Sequence, residues 1–150
     1  MSDQGRILLA EDNLNDIELI KTAFQEARII NELDVVRDGE EALDFLYFRE
    51  AYEKRERYSP VAVLLDLKMP KVGGLEVLET IKKDPILRLI PCVIMTSSRE
   101  EKDLYSSYDK GANAYVVKPI DFRQFSKAVK ELGMFWAVLN QPPTIRQGKA

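Results

Sequence analysis

Four short apolar runs in this chain each end on a polar group, and no other feature constrains the fold as much. Ile7-Leu8-Leu9-Ala10 runs into Glu11-Asp12, and Val61-Ala62-Val63-Leu64-Leu65 into Asp66. Cys92-Val93-Ile94-Met95 runs into Thr96, and Tyr115-Val116-Val117 into Lys118-Pro119. Runs that are apolar on successive residues, rather than on alternate ones, suit strands covered on both faces. Laid parallel in one sheet, they would bring three carboxylates, a hydroxyl and an ammonium to a single edge. That edge is where open α/β sheets hold their ligands.

The segments between the runs have helical period. Leu14, Ile17, Ile20, Phe24 and Ala27 predict a helix over 14–28, which leads to a further strand near residue 33. A second helix, 39–49, is entered through Asp38-Gly39. A third, 74–83, starts after Gly73-Gly74 and stops before Asp84-Pro85, because the residue before a proline resists helical angles. A fourth covers 99–110, with Ser98 as N-cap and Gly111 at C′. Asp121 caps a fifth that runs to about Asn140, where Gln141-Pro142-Pro143 ends it. Alternating strands and helices predict a parallel sheet with helices on both faces. The expected organisation is one domain over 1–140 and a flexible tail over 141–150. The charged stretch Glu50 to Ser59 reads equally as a longer second helix or an exposed loop.

Composition narrows the chemistry. A chain of 150 residues with net charge −3 has no basic footprint for nucleic acid. It shows no apolar run of membrane-spanning length and no signal peptide, so no membrane partner is expected. The one cysteine, Cys92, sits inside an apolar strand, which suits a reducing, cytoplasmic compartment. There is no histidine, so no imidazole base or metal ligand exists, any metal must take oxygen ligands, and a phosphoryl group carried on histidine must come from another protein.

Taken alone, Glu11-Asp12 is a common helix start, since acids favour a helix N-terminus. Asp66 is not explained that way: Leu67-Lys68-Met69-Pro70 follows it, and Gly73-Gly74 delays the next helix. Three converging carboxylates raise one another's pKa unless a hard cation lies among them, and Mg²⁺ accepts such a set. Lys118 and Thr96 would add a cradle for a phosphoryl group on a carboxylate. Pro119 makes Lys118-Pro119 a candidate cis peptide that would fix where the lysine points.

In this order, the acidic pair Glu11-Asp12, Asp66 with Met69-Pro70 and Gly73-Gly74-Leu75, Thr96, and Lys118-Pro119 resemble the receiver domain of two-component response regulators, from Ile7 to about Leu139. The resemblance implies a flavodoxin-like (βα)5 fold of strand order 2-1-3-4-5. It also implies that Asp66 accepts the phosphoryl group from a sensor histidine kinase. Asp12, Asp66 and the backbone carbonyl of Lys68 would bind Mg²⁺ or Mn²⁺, with Glu11 acting mostly through water. Thr96 and Lys118 would bind the phosphoryl oxygens, and Tyr115 would occupy an aromatic switch position. The stretch 47–60 and Phe135-Trp136 before a proline-containing tail are similar to single-domain regulators serving bacterial phytochrome kinases.

The last helix carries one apolar seam for the sheet and a second stripe with Phe135 and Val138, beside Trp136. With Tyr105 and Tyr108 this surplus suits a protein interface. The expected use is a homodimer through the fourth helix, fifth strand and fifth helix, the other being a kinase-binding surface. The expected function is therefore a phosphorylation-controlled signalling module without an attached output domain, rather than an enzyme. Two other readings compete. An Asp-nucleophile phosphohydrolase would need a second acid two residues after Asp66, where Lys68 stands. A phosphorylation-independent scaffold would usually have lost an acid or the lysine.

Overall fold

The computed structural model describes residues 5–26, 28, 30–97, 100–118 and 123. Five strands, β1 (Arg6–Ala10), β2 (Glu32–Val36), β3 (Ala62–Leu65), β4 (Cys92–Thr96) and β5 (Ala114–Val117), form one sheet in the order 2-1-3-4-5. Every pairing is parallel. Parallel neighbours need a crossover, and helices supply it: α1 (Leu14–Glu26), α2 (Gly39–Leu46), α3 (Gly74–Lys83) and α4 (Glu101–Asp109). The expected fold class is the observed one.

The continuous apolar character of the inner strands has its expected cause. Along β1, Ile7 and Leu9 pack with Ile17, Ile20 and Phe24 of α1. Leu8 and Ala10 point the other way, to Phe45 and Leu46 of α2 and Leu78 and Ile81 of α3. The sheet is thus covered on both sides, and its edge strand β2 carries Glu32 and Asp34, which pair with Arg6 at the start of β1. Cys92 is buried in this core, and burial pushes its thiol up to about 12.

Several boundaries differ from expectation. α1 ends two residues early at Glu26, and α2 ends at Leu46 rather than 49. Phe48 and Glu50 then take left-handed angles (φ 56° and 52°), which stop the helix, and a 3-10 turn follows over Glu50–Tyr52. The stretch 50–59 is therefore neither a continuation of α2 nor a free loop. The Arg55 guanidinium lies 3.9 Å from the Phe45 ring centroid, 4.0 Å from that of Phe48 and 4.8 Å from that of Tyr58. Tyr58 donates to Asp34 at 2.5 Å, and Tyr52 donates to Glu41.

α4 begins at Glu101, with Glu100 in the N-cap position and no side-chain cap; Ser98, expected there, lies outside the described residues. Gly111 closes α4 as expected, at φ 105°. The fifth helix, Pro119, the tail 141–150, and Phe135, Trp136 and Val138 also lie outside the described residues. Among the described residues no helix is long and apolar enough to cross a membrane.

Candidate functional site

After β1 the chain turns to one side of the sheet, and after β3 it turns to the other, which leaves a crevice between the two strand ends. Glu11 and Asp66 are the first residues past those ends. The backbone holds both: Glu11 N–H donates to Val36 O at 3.0 Å, and Asp66 N–H to Ala10 O at 3.1 Å. Carboxylate oxygens of Glu11, Asp12 and Asp66 lie within 4.8 Å of one another. Glu11 is 1% and Asp66 8% exposed, while Asp12 is half-buried. The β3–α3 loop can pass this close because residue 74 is glycine; a Cβ there would overlap the carbonyl oxygen of Asp66.

Two residues from the far strands complete the edge. Thr96 is buried, and its side chain hydrogen-bonds to Asp66. Lys118 follows β5 and is anchored by its backbone N–H to Thr96 O at 2.7 Å. Its side chain is 9% exposed, with Nζ paired to Glu11, 2.8 Å from Asp16 Oδ2 and 3.9 Å from Asp66 Oδ2. Tyr115 is half-buried against the core, and Tyr105 and Tyr108 stand exposed on α4.

Burial dominates the electrostatics. It raises Glu11 to about 7; the hydrogen bond and charge of Lys118 pull the other way, and the charge of Asp66 adds to the rise. Burial also raises Asp66, against the opposing effects of Lys118, the Thr96 and Glu11 hydrogen bonds and the Lys68 backbone N–H. For Lys118, burial is outweighed by Asp16 and Glu11, so its ammonium is held. One ammonium does not neutralise these acids, and the oxygen-only donor set fits a divalent cation. The Lys68 backbone N–H reaches Asp66, while its side chain is exposed.

Two site residues were not anticipated. Asp16 joins the edge from the first turn of α1, where its carboxylate meets Lys118 from 102 residues away in sequence. Arg37 donates to Asp12 O at 2.8 Å from the end of β2, and only the strand order brings it there.

Residues 7–130 match the family described as the response regulator receiver domain. The response regulator Rcp1 of Synechocystis is 38% identical over 140 residues, covering 91% of this chain and 94% of that protein. Its Mn²⁺-bound crystal structure superposes with a TM-score of 0.85, covering 93% of this chain and 99% of that one. The phosphorylated cyanobacterial phytochrome response regulator RcpA gives a TM-score of 0.85 at 39% identity, covering 93% and 98%. The bacteriophytochrome response regulator AtBRR is 54% identical with a TM-score of 0.76, covering 93% and 100%.

Proposed function

The chain belongs to the receiver-domain family of two-component response regulators, and from that premise we propose that Asp66 is the carboxylate that takes the phosphoryl group from a sensor histidine kinase. Members of this family are phospho-acceptors rather than catalytic enzymes. The observation that carries the assignment is the position of Asp66. Its carboxylate has Glu11 and Asp12 oxygens within 4.8 Å, takes a hydrogen bond from the Thr96 hydroxyl and lies 3.9 Å from the Lys118 ammonium.

In the transfer, an oxygen lone pair of Asp66 attacks the phosphorus of the kinase phosphohistidine. The P–N bond breaks, its electron pair stays on the imidazole nitrogen, and an acyl phosphate forms on Asp66. Glu11, Asp12, Asp66 and the Lys68 carbonyl would hold Mg²⁺ or Mn²⁺, which would shield the negative charge gathered there. Lys118 and Thr96 bind phosphoryl oxygens, and Tyr115, beside β4 in the register, relays the change in Thr96 toward α4. Lys68 is exposed and basic where a phosphohydrolase would need an acid.

The kinase we infer is of the phytochrome type, supported by relatives described as phytochrome and bacteriophytochrome response regulators. Signalling then proceeds by protein contact, with a homodimer through α4, β5 and the fifth helix. The direct test is transfer of labelled phosphate from an autophosphorylated histidine kinase. Wild-type protein is expected to accept label up to one phosphoryl group per chain with divalent metal present, and Asp66→Asn to accept none. Label at normal stoichiometry in Asp66→Asn would overturn the assignment.

A further inference from the structure

Asp16 is the acid at this edge that stands outside the metal-binding set, and with Glu11 it is one of the two carboxylates hydrogen-bonded to the Lys118 ammonium. Its carboxylate lies 2.8 Å from Nζ, against 3.9 Å for Asp66, which is beyond hydrogen-bonding distance. Asp16 is itself held in place: Asn13 Oδ1 accepts its backbone N–H at 3.0 Å, as an N-cap does at the start of α1. The lysine side chain is almost fully buried, so its ammonium must choose among the carboxylates around it.

We propose that Asp16 is a positioning residue that holds the Lys118 ammonium away from Asp66, keeping the Asp66 carboxylate available to the metal and to the phosphoryl donor. The proposal rests on the assignment of Asp66 and Lys118 made above. An ammonium seated on Asp66 would compete with a divalent cation for the same oxygens and occupy the lone pairs that attack phosphorus. The groups facing Nζ come from three elements: Asp16 from α1, Glu11 from the end of β1 and Asp66 from the end of β3. Glu11 and Asp66 are also committed to the metal set, so Asp16 is the acid left to retain the lysine when the cation binds.

The experiment is Mg²⁺ binding by titration calorimetry to the full chain. Asp16→Asn is expected to raise the Mg²⁺ Kd about fivefold, the scale of a partly buried ion pair. Asp16→Glu, which keeps the carboxylate, stays near wild type. In a Lys118→Met background, Asp16→Asn has no further effect, because no ammonium remains to move. Equal weakening with and without Lys118 would make Asp16 a plain negative charge near the metal, and no weakening would mean that it does not hold the lysine. Either result overturns the proposal. Asp16 is on the first turn of a surface helix, and Asp16→Ser provides the same comparison if the amide is not tolerated. Phosphotransfer to Asp66→Asn tests the Asp66 assignment separately, so failure of one does not imply failure of the other.

Discussion

At the scale of single residues, the Glu11 carboxyl sets the site's response to pH. Its folded value, about 7, lies above its ordinary 4.5, with burial the main cause. Between those values the folded chain holds a proton that the unfolded chain releases, so its contribution favours folding at low pH and is lost as pH rises through about 7. Asp66 is shifted the same way, so the two act together. In metal-free buffer the Tm is therefore expected to fall as pH rises across that interval. Mg²⁺ takes the deprotonated carboxylates, so its affinity rises over the same interval and binding releases protons. Calorimetry in buffers of different ionisation enthalpy measures that release; a proton count of zero at pH 6 would refute the raised Glu11. Asp66 could be recognised from sequence because a strand, a loop and a glycine pair surround it in one local stretch. Asp16 could not, because its partner Lys118 is 102 residues away and only the closed sheet brings them together.

At the scale of elements, the segment after α2 is the one whose structure sequence reasoning left open. Its sequence reads equally as a longer helix or an exposed loop, and Arg55 is the centre of a packed cluster. Besides its three aromatic neighbours, its Nε donates to Phe45 O at 2.8 Å, and Nη1 donates to Glu56 O at 2.9 Å and Tyr58 O at 3.3 Å. No helical or strand period describes this arrangement, because the stops are two left-handed residues and the contacts are cation–π contacts to Phe45, Phe48 and Tyr58. Arg55→Ala is expected to cost about 1–3 kcal/mol in urea unfolding, from lost cation–π contact and unpaired carbonyls. Arg55→Lys recovers only part of it, since an ammonium lacks the planar fork that serves three rings and three carbonyls at once. An unchanged unfolding midpoint in Arg55→Ala would show the cluster to be incidental. By contrast, α3 was legible to its last residue, because Gly73-Gly74 and Asp84-Pro85 bound it by backbone chemistry alone.

At the scale of the molecule, α4 carries large apolar side chains that stand exposed among the described residues. The sheet layers were legible because apolar runs alternate with helical periods, and parallel strands force the crossovers. The proposed interface was not, since the residues that cover a core and those that cover a partner are the same types. Among the described residues of α4, Tyr105 is 72% exposed, Tyr108 50% and Leu104 39%, next to β5, which ends the sheet on that side. Three large apolar side chains on one exposed helix lose nothing by being buried against a second copy, and aromatic anchors dominate such contacts. Sedimentation velocity at micromolar concentration is expected to show a dimer. Tyr105→Arg should raise the dimer Kd by about thirtyfold, the scale of one lost aromatic anchor, while leaving Tm and Mg²⁺ affinity unchanged. A wild-type monomer, both with Mg²⁺ alone and with beryllium fluoride added, would assign this face to another partner, and the kinase would be the first candidate.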